Sequence, residues 1–133
     1  MKILNYSSVE PKDAGAGTSK VTVRWLIDEE TGAKNFFMRL FEIEAGGYTP
    51  LHHHDWEHEV FILEGEGTII CEDEAKLFRA GDVVFIPPKE KHQFRNTGKK
   101  LVKFLCLIPN KKDTQAETVT SCGCNQKSCQ ICE

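Results

Sequence analysis

Four of the chain's five histidines, His52, His53, His54 and His58, fall within seven residues, and the fifth is His92. Neutral imidazole is the commonest side-chain ligand for transition metals, so a cluster this dense reads either as a metal site or as a solvated His-rich loop. On an extended chain successive side chains alternate between faces. That parity puts His52, His54 and His58 into one space and turns His53 away. The cysteines offer a second soft-ligand set. Cys71 and Cys106 sit singly in apolar runs, whereas Cys122, Cys124, Cys129 and Cys132 crowd the last dozen residues. Four thiols suffice for a tetrahedral zinc or other soft-metal site, with mobile thiols and a redox role as the alternatives.

The elements that must position these groups are short. Alternating, β-branched or aromatic runs at 20–27, 35–44, 59–63, 67–72, 75–79, 83–86, 92–95 and 101–108 are separated by Gly, Pro, Asn or Asp, and no capped helical period of ten residues occurs. The expectation is an all-β single domain, a sandwich or barrel. A composition break after Pro109 divides the chain into an N-terminal arm (1–19), a barrel (20–113) and a Cys-rich C-terminal tail (114–133).

Composition narrows the function. The 133 residues amount to 15.1 kDa, 40% hydrophobic and 28% charged, which is one soluble domain with no apolar run long enough to span a bilayer. The first residues lack the apolar stretch of a secretory leader, so a cytoplasmic protein is expected. A net charge of −3 without a basic cluster makes nucleic acid an unsuitable partner.

The histidines belong to a longer pattern. Gly46 is followed after five residues by His52, after one by His54, after three by His58 and after six by Gly65; downstream, Gly81 is followed by Pro87, His92 and Asn96 at gaps of five, four and three. This resembles the two motifs of the cupin superfamily, with His58 where the family usually has Glu and Lys89 where it has Gly. The strings NFFMRLFEIEAGG, HDWEHEVFILEGEG, HQFRN and FLCLIP are similar to small four-histidine monocupins that bind manganese. The resemblance implies a double-stranded β-helix (a jelly-roll barrel), a homodimer, and one divalent metal on His52, His54, His58 and His92. Glu59 is the alternative to His58; parity and the six-residue step to Gly65 favour His58. Manganese comes from the resemblance alone, because imidazole also suits iron, zinc, nickel and copper.

Alternation also orients the neighbouring strands. Leaving Glu42, Glu44 and Lys103 in solvent turns Arg39, Phe41, Phe104 and Cys106 inward, and Phe94 shares a face with His92. Together with Ile62 these residues make a mainly apolar pocket for a small organic molecule, or else a packed core. Arg39 is then an inward charge, either ion-paired or a substrate anchor. The opposite parity carries Leu40, Phe61, Leu63, Leu105 and Leu107, an apolar face suited to a second subunit. The expected function is that of a metal-dependent oxidoreductase or dioxygenase acting on a small organic molecule; the alternative is a non-enzymatic metal or small-molecule binding protein.

Overall fold

The computed structural model describes residues 1–110, and everything stated of the structure concerns these residues. A 3-10 turn, Tyr6–Ser8, precedes nine strands: β1 (Lys12–Asp13), β2 (Ser19–Ile27), β3 (Phe36–Tyr48), β4 (His58–Glu64), β5 (Glu66–Cys71), β6 (Glu74–Arg79), β7 (Val83–Ile86), β8 (His92–Arg95) and β9 (Val102–Pro109). No α-helix occurs among them. Strand pairing is antiparallel throughout, in the order β6-β5-β8-β3-β9-β4-β7, with β2 on the other side of β3 and β1 on β2. The sheet curls into the all-β double-stranded β-helix.

Strand β3 joins the two halves. Its first eight residues pair with β9, from Phe36↔Pro109 to Ile43↔Val102, and its last residue pairs with β8 at Tyr48↔Arg95. Between these stretches the chain turns at Gly46, whose φ of +83° is the left-handed region that glycine enters most readily. Buried Asn96 pins this turn, its amide donating to the carbonyls of Ile43 at 2.7 Å and Lys100 at 2.8 Å.

Alternation fixes what faces inward. Along β9, Val102, Phe104, Cys106 and Ile108 are buried, while Lys103, Leu105 and Leu107 are half-buried on the other face. Phe104 stacks on Phe41 at 5.2 Å and on Phe94 at 4.6 Å between ring centroids, which ties β3, β8 and β9 together. Such aromatic pairs are worth about 0.5–1.5 kcal/mol each beyond the area they bury.

The N-terminal residues are docked rather than trailing. β1 pairs with β2, and Arg24 Nη1 donates to the carbonyls of Tyr6, Ser7 and Val9 at 2.9–3.4 Å. Lys103 Nζ reaches Tyr6 Oη at 3.1 Å. This strap lies on the outer sheet face, which alters one expectation. Leu40, read from the sequence as part of a subunit interface, is 1% exposed within the single chain, opposite Arg24 and Leu105 on β3. Phe61 and Leu63 remain exposed, joined by Val83 and Phe85 of β7.

Gly65 separates β4 from β5 with φ of +84°, and a Cβ there would press on the Leu101 carbonyl oxygen and the Val102 Cα. Gly81 has φ of +93° with nothing within 4 Å. Gly65→Ala should lower stability by more than about 1 kcal/mol, and by clearly more than Gly81→Ala, which pays only for the backbone. Urea-unfolding midpoints of the two variants measure the difference; equal losses are inconsistent with a close approach at Gly65.

Candidate metal centre

His58 opens β4 and His92 opens β8, while His52 and His54 lie in the connection from β3 to β4. The chain bends at Asp55–Trp56, so alternation does not run unbroken from His54 to His58. What brings the two motifs together is backbone pairing. His52 N donates to His92 O at 3.2 Å, and His92 N donates back at 2.9 Å. Thr49 reinforces the junction, its N–H donating to Phe94 O and its hydroxyl accepting from Phe94 N, both at 2.9 Å.

Four buried imidazoles result. Ring centroids are 4.3 Å apart for His52–His54, 4.9 Å for His52–His92, 4.9 Å for His58–His92, 5.1 Å for His54–His58 and 5.8 Å for His54–His92. His52, His54 and His92 each offer a nitrogen, all within 4.8 Å of one another, and could hold a metal ion. Two nitrogens each about 2.1 Å from one zinc ion stand at most about 4.2 Å apart, so a small contraction closes the set. Second contacts aim the rings. His92 Nδ1 lies 2.9 Å from the Glu90 carbonyl, to which it can only donate, and this leaves Nε2 for a ligand role. His54 stacks on Trp56 at 4.7 Å. His58 Nδ1 meets Cys106 Sγ at 3.4 Å, and its Nε2 is buried with no hydrogen-bond partner among the described residues.

Burial sets the charge state. It lowers His52 from 6.5 to about 4, with His92 and Arg39 adding repulsion against a second positive charge. Burial also holds His58 well below its ordinary value, with Arg39 the next cause, and lowers His92. These rings are therefore neutral at pH 7 with a lone pair to give, the state in which imidazole binds metal.

Beside them lies a cavity of about 30 Å³. Of the residues expected around it, Arg39, Phe41, Phe94, Phe104 and Cys106 line its wall; Ile62 is fully buried in the core and does not. Arg39 has no exposed surface, lies over the rings of Phe41 at 4.9 Å and Trp25 at 5.4 Å, and donates to Cys106 Sγ at 3.1 Å. Among the described residues the wall contains no carboxylate. Glu59 is exposed on the outer face, away from the imidazoles, and His53 is half-buried. Sequence reasoning missed Ala14 and Thr18, which the docked arm brings to the wall together with Thr49 and Pro50; the only signal for them was the Gly15–Gly17 spacing of a turn. The soft-metal site read at Cys122, Cys124, Cys129 and Cys132 lies outside the described residues.

A family model for the cupin domain matches residues 39–108, more than half of the chain. The chain belongs to the cupin family. This cupin is 32% identical over 112 residues to the oxalate-binding protein of Thermotoga maritima, covering 80% of this chain and 92% of that protein. It is 33% identical over 76 residues to the 1-methylthio-D-xylulose 5-phosphate methylsulfurylase of Rhodospirillum rubrum, covering 57% of this chain and 49% of that protein. The chain thus spans about half the length of the latter, and likewise of an uncharacterized protein of Methanocaldococcus jannaschii. Among solved structures, the polyketide cyclase RemF of Streptomyces resistomycificus superposes with a TM-score of 0.78 at 33% identity, covering 82% of this chain and 79% of that one. A Thermotoga maritima structure described as a predicted oxalate decarboxylase gives 0.72 at 27% identity, with 81% and 98% covered.

The lowered histidines have a pH consequence. Between about 4 and 6.5 the unfolded chain holds a proton on His52 that the folded protein lacks, so stability of the metal-free protein is full above the unfolded value and falls as pH drops through this window. His58 and His92 act in the same direction. The loss from His52 alone is roughly 3 kcal/mol, measured by urea unfolding at about pH 7.5 and about pH 4.5. A flat profile contradicts burial of the neutral rings.

Proposed function

We propose that this cupin holds one divalent transition metal on His52, His54, His58 and His92 and uses it to bind a small organic anion. The observation that carries the reading is the convergence of buried, neutral imidazoles on a cavity whose wall bears Arg39. Four neutral ligands leave a dication its full charge, and Arg39 adds another, so the site favours an anion and disfavours a cation. The metal, when bound, supplies Lewis acidity toward an oxygen ligand. Arg39 supplies a fixed positive field, and Phe41, Phe94 and Phe104 exclude water from the ligand's apolar side. The relative described as oxalate-binding supports a short carboxylate as the ligand. Manganese is the ion implied by resemblance to four-histidine monocupins. The protein is proposed to act in the cytoplasm.

The oxidoreductase or dioxygenase reading stands second. Its support is the aromatic side chains of the wall beside a ligand set that leaves coordination positions open on a six-coordinate ion. Oxygen consumption by the manganese and iron forms in the presence of small carboxylates and 1,3-dicarbonyls tests it, and no turnover in any combination sinks it.

Metal analysis of untagged protein tests the main reading. Single alanine variants of His52, His54, His58 or His92 should lose metal affinity by at least about tenfold, whereas His53→Ala should match the wild type. His58→Glu should keep the metal. Oxalate should bind the manganese form and not the metal-free form in calorimetry; binding that is independent of metal is the contrary result.

We further propose that a second copy of the chain covers the exposed Phe61, Leu63, Val83 and Phe85 on β4 and β7, beside half-buried Leu105 and Leu107. Phe61→Lys combined with Phe85→Lys should convert a dimer to a monomer in light scattering. A wild type that is monomeric at all concentrations defeats this.

A further inference from the structure

Three inward side chains from three strands meet at one sulfur. Arg39 on β3 and Val60 on β4 are the two cross-strand partners of Cys106 on β9, and His58 stands two residues before Val60 on the same face. Arg39 Nη2 donates to Cys106 Sγ at 3.1 Å, and His58 Nδ1 lies 3.4 Å from the same atom. All three residues are buried. On the far side of the ring, His58 Nε2 is buried with no hydrogen-bond partner among the described residues.

A neutral imidazole carries one proton, and only its bare nitrogen can take a metal. The sulfur contact therefore allows two arrangements. In one, the thiol donates to Nδ1 and the proton sits on Nε2, a buried N–H without an acceptor, which is the costlier arrangement. In the other, Nδ1–H donates to Sγ and Nε2 is bare beside the rings of His54 and His92. The group left without a partner is then the S–H, a weak donor that tolerates apolar surroundings. Arg39 can only donate, so its N–H engages the sulfur as an acceptor in both arrangements and fixes it in place.

We propose that Cys106 is a positioning residue: its sulfur accepts a hydrogen bond from Nδ1–H of His58, selects the tautomer whose Nε2 faces the other imidazoles, and is itself held by Arg39. This rests on the four-histidine metal reading and extends it one shell outward. Outer partners of ligating histidines commonly change metal affinity by about 10–100-fold when removed.

The test begins with metal-free protein labelled with ¹⁵N-histidine. Long-range ¹H–¹⁵N correlations should give His58 in the Nδ1–H form in the wild type and in Cys106→Ser, whose hydroxyl can accept the same hydrogen bond. Cys106→Ala should populate the Nε2–H form and bind manganese about 10–100-fold more weakly, with Cys106→Ser restoring most of the affinity. An Nε2–H tautomer in the wild type, or an unchanged tautomer and affinity in Cys106→Ala, overturns the proposal. A wild type that takes up no metal overturns the metal reading instead, and is told apart because the tautomer is read on metal-free protein.

Discussion

The reciprocal backbone bridge between His52 and His92 is the contact on which the site depends. The two residues are forty positions apart, and nothing local obliges the segment before β4 to lie against the start of β8. Once the bridge and the Thr49–Phe94 pair form, His54 is carried into the same space, and His58 follows as β4 enters the sheet between β9 and β7. The cost of closing so long a loop grows only slowly with its length, and the β3–β9 ladder meets most of it by ordering the sheet.

That convergence imposes an electrostatic condition. Rings 4.9 Å apart cannot share a buried space as cations, so burial and mutual repulsion keep His52, His58 and His92 neutral. The same neutrality that makes the cluster tolerable inside the barrel leaves its lone pairs free, which couples folding to ligand capacity. The guanidinium of Arg39, resting on Phe41 and Trp25, raises the local positive potential further and acts on His52, His58 and His92 alike.

Much of this was legible in the sequence because strands impose a period of two. Inward Arg39, Phe41, Phe104 and Cys106 follow from leaving Glu42 and Lys103 toward solvent, and the motif spacing marks His52, His54, His58 and His92. The same rule misplaced Ile62, which points inward but belongs to the packed core, because parity gives a face and not a depth along the barrel. It also left Leu40 on an open surface. The strap that Arg24 holds over that face depends on hydrogen bonds to carbonyls, which any residue carries, so no sequence pattern announced it. Ala14 and Thr18 reach the cavity wall from the connection between β1 and β2.

The longest strand path ends at β6 on one side and β7 on the other, with β1 a further margin beyond β2, and the two ends of that path differ in charge. β6 carries Glu74, Lys76 and Arg79, charges that resist the approach of another strand, beside exposed Leu77. β7 carries Val83 and Phe85, both exposed. Head-to-tail growth, which joins one end to the other, is thus penalised at every step by β6. Edge pairing of β7 with the β7 of another molecule is a two-fold contact that uses up both sticky edges at once. A contact of that kind closes on itself instead of propagating, which sets the β7 margin apart from the β6 margin.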